Sequence, residues 1–188
     1  MGRVIYKSFT LIELIVAVGV VGLILPAIFN IFFIMIRQQL VLTAYQTIKQ
    51  QGDSAQRNIK NILQSRAAYI TNSSYTATDV CPLPLTPTPQ FSELYIGDRN
   101  KGFIHLYSKL VSGTIYSIAS DSADISKTVI KTYDLTSNDV TVSDMEFSCH
   151  RINDFTPAII SAKFTITKTA ALREISLPYI FNIRLRNY

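Results

Sequence analysis

KSFTLIELIVAVGVVGLILPAIFNIFFIMIR, residues 7–37, is apolar almost throughout from Phe9 to Ile36, and Glu13 is the single charged residue of that run. At about 1.5 Å per residue, a helix of this length exceeds the roughly 30 Å hydrocarbon core of a bilayer. The run is longer than the apolar region of a secretory signal peptide, and Arg37 and two glutamines follow it instead of a small-residue cleavage site. The sequence therefore predicts a transmembrane helix over residues 9–36.

The residues before this run predict its orientation. Arg3 and Lys7 lie in the short head, and basic residues mark the cytoplasmic side of a membrane helix. We expect the N-terminus in the cytoplasm of a single-pass protein of the cell (inner) membrane, with the rest of the chain extracytoplasmic.

Composition predicts one domain outside the membrane. Of the 188 residues, roughly 150 remain beyond the anchor, enough for one hydrophobic core. Without Arg3 and Lys7, the 16 basic residues exceed the 13 acidic ones by only three. This excess is too small and too scattered to indicate nucleic-acid binding.

The helix is expected to continue beyond the membrane to about Ala68, so that residues 37–68 form its amphipathic half. Apolar or small residues recur there at alternating spacings of four and three, which is typical of a helix with one covered face. The predicted stripe consists of Val41, Tyr45, Ile48, Gly52, Ala55, Ile59, Ile62 and Arg66. Gln51 is predicted to lie off this stripe.

The remaining chain alternates in the manner of strands. Residues 69–92 contain the proline-rich CPLPLTPTP and are predicted to form a surface loop region. Residues 93–188 are predicted to form a β-sheet domain, because segments rich in β-branched and aromatic residues alternate with turn-prone stretches. The expected strands lie in SELYIG, FIHLY, GTIYSIAS, TVIKTYDL, VTVSDMEFS, AIISAKFTITK and YIFNIRLR. The predicted fold class is α+β, a long helix packed on an antiparallel β-sheet.

The N-terminal motif resembles a known family. FTLIELIVAVGVVGLI after a short basic head is similar to the signature of type IV pilins and of the pseudopilins of type II secretion and competence systems. The ending, with SNDVTVSDMEFSC, PAIISAKFTITK and IFNIRLRN, looks like that of the larger minor pilins and minor pseudopilins. The resemblance covers roughly the first 35 and the last 50 residues, and it implies a type IV pilin-like fold.

The resemblance also implies a function without catalysis. Residues 1–8 would be a leader peptide, which prepilin peptidase removes by cleaving between Ser8 and Phe9. The new amine of Phe9 would then be methylated. Ser8 stands where the family usually has glycine. The implied partners are that peptidase, other pilin or pseudopilin subunits, an inner-membrane assembly platform and membrane lipid. The implied destination is a pilus or a pseudopilus, and the sequence leaves the type of machine open. The alternative is an unprocessed bitopic protein with an extracytoplasmic binding or sensory domain.

Glu13 is the candidate assembly residue. Inserting a carboxylate into a membrane costs free energy, so we expect Glu13 to have a role that offsets this cost. Cleavage before Phe9 would create an amine about one helical turn away, and Glu13 would balance its own amine or, as the resemblance implies, that of a neighbouring subunit. An ordinary anchor with a snorkelling carboxylate is the alternative.

The histidines and aspartates form no motif that would indicate a catalytic site or a cofactor site. His105 and His150 belong to no metal or nucleophile motif. The aspartates at positions 121, 124, 134, 139 and 144 have no recognised calcium-loop spacing, and we expect turn residues. We therefore predict no metal site.

Cys81 and Cys149 are predicted to form a disulfide. The chain has two cysteines, and both lie beyond the anchor in a compartment that is expected to be oxidising. Two buried apolar cysteines without a bond are the alternative.

Overall fold

The computed structural model describes residues 10–71, 73–74, 81, 90–98, 102–113, 115–124, 126, 128–153 and 156–185. These residues form one long helix, α1 (Leu11–Ser65), and nine strands. The strands are β1 (Ala67–Thr71), β2 (Gln90–Phe91), β3 (Leu94–Asp98), β4 (Phe103–Ser112), β5 (Ile115–Ala123), β6 (Val129–Asp134), β7 (Thr141–His150), β8 (Ile159–Ala170) and β9 (Arg173–Arg184).

The strands divide between two antiparallel sheets. Sheet A has the order β1-β3-β4-β5-β6, and sheet B has the order β2-β7-β8-β9. The longest ladder joins β8 to β9 in continuous register, from Ile159 opposite Arg184 to Ala170 opposite Arg173. The α+β fold class is thus confirmed, with the strands distributed over two sheets.

The chain forms two compact units, one up to Leu42 and one from Thr43 onward. The first contains the apolar part of α1, in which every described side chain is exposed. The second contains the end of α1, both sheets and the hydrophobic core.

One face of α1 packs into the core of the second unit. Its buried residues are Ala44, Ile48, Gly52, Ala55, Ile59 and Leu63. The predicted stripe is therefore right from Ile48 to Ile59 and wrong at Tyr45, and Ile62 packs against the core without being fully buried. Tyr45 is 44% exposed and Ile62 is only partly buried, because the helical phase brings the adjacent Ala44 and Leu63 to the core instead.

The end of α1 also needs correction. The helix ends at Ser65 rather than near Ala68, and β1 begins at Ala67. Residues 69–71 are tyrosine, isoleucine and threonine, which favour strands over helices. At the junction, Arg66 donates from Nε to Oδ2 of the buried Asp98 at 3.0 Å, which ties the end of α1 to β3.

All seven predicted strands are present, and the structure adds others. β1 and β2 occupy the two ends of the predicted loop region 69–92, while the prolines at positions 82–89 lie outside the described residues. β9 begins at Arg173, six residues before the predicted segment YIFNIRLR. Pro178 lies within β9, which is an edge strand of sheet B, where a missing N–H is tolerated.

Candidate functional site

The apolar half of α1 is exposed on all sides. The most apolar stretch of 18 residues in this helix has a mean hydropathy of 2.7, and none of its residues is buried. Among the described residues, α1 is the one helix that is long enough and apolar enough to cross a membrane. It lies near the N-terminus. A soluble domain would leave such a surface uncovered at great cost, because burial of apolar side chains is the main driving force for folding.

Glu13 lies in the first turn of this helix and folds back onto Thr10. The Thr10 backbone N–H donates to Glu13 Oε2 at 3.0 Å, and the Thr10 hydroxyl donates to the same oxygen at 3.0 Å. In return, the Glu13 backbone N–H donates to Thr10 Oγ1 at 3.4 Å. This reciprocal arrangement is a capping box, which satisfies backbone donors that the first helical turn leaves without partners.

Sequence reasoning missed the role of Thr10. The signal was present, because a threonine three residues before a glutamate at the start of an apolar run is the sequence signature of a capping box. Ser8 and Phe9, the predicted cleavage and methylation residues, lie outside the described residues.

Cys81 and Cys149 form a disulfide, as predicted. Their Cα atoms are 5.3 Å apart, and 68 positions separate them in sequence. Both residues belong to the hydrophobic core, so the bond fixes Cys81 to the end of β7.

His105 is part of a stacked aromatic cluster on sheet A. Its ring centroid lies 4.2 Å from that of Tyr95 and 4.4 Å from that of Tyr107. Its Nε2 atom is 3.0 Å from Glu93 Oε2, which also accepts a hydrogen bond from the Tyr95 hydroxyl at 2.7 Å. These contacts cover the imidazole on both sides and favour a packing role. His150 ends β7 opposite Ile159.

The aspartates are distributed over separate turns and strands. Asp124 accepts hydrogen bonds from the Ser126 hydroxyl and the Thr128 backbone, and these bonds lower the pKa of its carboxyl group. Asp121 accepts a hydrogen bond from the Thr132 hydroxyl at 2.6 Å. Within the part of the chain that the structure describes, no group of three or more histidine, cysteine, aspartate or glutamate residues is placed to hold a metal ion.

Comparisons with protein-family models, with curated proteins and with solved structures find no match for this chain.

Proposed function

We propose that this chain is a minor pilin or minor pseudopilin, an assembly subunit of a type IV pilus, a type II secretion pseudopilus or a competence pseudopilus. In this role the protein is not an enzyme. Prepilin peptidase removes residues 1–8 and leaves Phe9 as the first residue. The subunit is then stored in the inner membrane with its C-terminal domain outside, and an assembly platform moves it into the filament.

The observation that carries this proposal is the continuity of α1. One helix, Leu11–Ser65, supplies both the bare apolar run and the stripe from Ala44 to Leu63 that enters the core. When such a subunit leaves the bilayer, its apolar half needs another apolar environment. A bundle of related helices provides one, and the sheets of the second unit remain outside that bundle.

The position of Glu13 supports the same proposal. Its carboxylate lies in the first turn of the apolar helix, and Glu13 follows Phe9, whose amine cleavage would create, by four positions in the sequence. Oppositely charged groups attract more strongly in a low-dielectric medium than in water. Pairing of Glu13 with the amine of a neighbouring subunit would therefore favour one axial register of docking.

Mass spectrometry of the intact protein, extracted from its native membrane, tests the processing step. We expect a mature chain that begins at Phe9 and carries a methylated amine. An intact Met1 start would contradict the proposal and favour the unprocessed bitopic protein with a binding or sensory domain.

A further inference from the structure

An open cleft of about 350 Å³ lies between the end of α1 and strands β5 and β6 of sheet A. A helix and a sheet usually meet through apolar side chains. Alternation places Ser120 and Ser122 on the same face of β5 as Ile118, which belongs to the hydrophobic core. The helix faces these serines with Asn58 and Asn61. The cleft therefore has polar side chains where the packing of a helix on a sheet favours apolar ones.

The serine and asparagine side chains of the cleft offer hydrogen bonds that the protein does not use. Ser120 is only 4% exposed, and within the part of the chain that the structure describes no residue forms a hydrogen bond with its hydroxyl. Among the same described residues, none bonds to the side-chain amides of Asn58 and Asn61. A buried hydroxyl without a hydrogen bond costs free energy. These groups therefore favour a partner that enters the cleft.

The charged side chains of the cleft are already paired. Arg66 donates from Nε to Asp98 Oδ2 at 3.0 Å. Asp134 Oδ1 lies 3.5 Å from Lys109 Nζ. The groups that remain available are amides and hydroxyls, which both donate and accept hydrogen bonds. This set matches an uncharged ligand that also donates and accepts at several positions.

An aromatic ring completes the lining. Tyr133 lies directly opposite Ser120 in the ladder of β5 and β6, and it is 46% exposed. A sugar ring carries hydroxyl groups around its edge and C–H groups on its faces, so it can bond to amides and pack on an aromatic ring at the same time. A peptide would instead pair with the backbone of the edge strand β6.

We propose that this cleft binds a neutral saccharide. Asn58, Asn61 and Ser120 bond to its hydroxyl groups, and the ring of Tyr133 packs against its C–H face. The volume is near the lower end of the roughly 300–1,000 Å³ of ligand pockets, which suits one or two sugar units. The inference does not depend on the proposed function, since every residue that it uses belongs to the second unit.

The test uses the full chain, purified in a detergent without a sugar headgroup. The protein is applied to a printed array of neutral oligosaccharides built from hexoses and N-acetylhexosamines, with extended peptides printed beside them. We expect binding to at least one oligosaccharide, whose association constant is then measured by titration. Ser120→Ala and Asn61→Ala should each lower that constant roughly fivefold, the usual effect of one lost hydrogen bond. Ser176→Ala changes an exposed serine of β9 and should bind like the wild type.

Stability separates a binding role of Ser120 from a structural one. Its hydroxyl has no bond to lose among the described residues, so Ser120→Ala should not lower the urea midpoint of proteolytic protection. A lower midpoint would show that the hydroxyl is bonded within the protein and would overturn the proposal. Absence of saccharide binding, or equal binding by the wild type, Ser120→Ala and Asn61→Ala, would overturn it as well. Peptide binding that these two variants weaken, without saccharide binding, would assign the cleft to a polypeptide instead.

Discussion

The ring of Tyr179 lies directly against Gly52. A β-carbon added at position 52 would come within 2.1 Å of the Tyr179 Cζ atom. The Tyr179 hydroxyl donates to the Lys49 carbonyl at 3.2 Å, and Phe164 stacks with the ring at a centroid distance of 5.2 Å. This contact joins α1 to β9 in the core of the second unit, and it requires a glycine at the point of closest approach.

Gly52→Ala is therefore expected to destabilise the second unit. Alanine normally stabilises a helix interior by about 0.5–1 kcal/mol relative to glycine, but an added methyl group in a packed core costs about 1–3 kcal/mol. The free energy of unfolding should fall, as measured by the urea midpoint of proteolytic protection of the full chain in detergent. In a Tyr179→Ala background the ring is gone, so Gly52→Ala should stabilise. An equal loss in both backgrounds would contradict the contact.

Ile59→Asp should destabilise the same unit strongly. Ile59 is fully buried, and an unpaired charge at such a site costs about 3 kcal/mol or more. Gln51, although predicted to lie off the stripe, is not a suitable control, because its Oε1 accepts a hydrogen bond from the Ser137 backbone N–H at 3.0 Å. Gln50 is exposed and makes the better control. Equal protease sensitivity of Ile59→Asp and Gln50→Asp would show that the burial is wrongly assigned.

Much of the fold could be predicted from local pattern. The apolar run determines the first half of α1, and alternation locates seven strands. The ends of the helical stripe could not be predicted, because periodicity does not distinguish Ala44 from Tyr45 or Ile62 from Leu63. The start of β9 was missed because Pro178 breaks the local pattern, and its tolerance depends on the edge position that β9 occupies in sheet B.

The side-chain contacts also differ in how far local sequence predicts them. Glu13 was identifiable as a charge within an apolar run, and its bond to Thr10 spans only three residues, so local sequence was sufficient for both. The contact of Tyr179 with Gly52 depends instead on how β9 and α1 meet. The distribution of strands over two sheets likewise depends on long-range pairing, which alternation alone does not specify.

Stability should decrease at high pH because of Tyr179. Burial raises the pKa of Tyr179 to about 12, and the charge of Asp53 adds to the shift. An unfolded tyrosine ionises near pH 10. Since the folded pKa is the higher one, the contribution of the neutral phenol is complete below about pH 10 and is lost as the pH rises toward 12.

The loss of stability at high pH can be measured as the difference between the wild type and Tyr179→Phe. Two pKa units correspond to about 2.7 kcal/mol, so the free energy of unfolding of the wild type should fall by roughly 2 kcal/mol relative to Tyr179→Phe between pH 9 and pH 11.5. Other tyrosines ionise in both proteins and cancel. Parallel curves for the two proteins would show that Tyr179 titrates normally.

Glu13→Ala is expected to leave membrane insertion intact or improved, because it removes a charge from an apolar helix. Incorporation into filaments should fall roughly tenfold or more, since a charge-assisted contact is lost. Glu13→Asp keeps the charge on a shorter side chain and should retain part of the incorporation. Normal incorporation of Glu13→Ala would rule out a role for this carboxylate in docking.

Breaking the bond between Cys81 and Cys149 should destabilise the second unit. The bond closes a loop over a separation of 68 positions, and chain entropy predicts about 4 kcal/mol of stabilisation for a loop of this size. We therefore expect a reductant to lower the free energy of unfolding of the wild type by about 2–4 kcal/mol. The matched control is the double variant Cys81→Ala and Cys149→Ala, whose stability should not respond to the reductant. Thiol labelling of denatured wild type should occur only after reduction, and equal labelling before and after reduction would show that the two cysteines are not bonded in the protein.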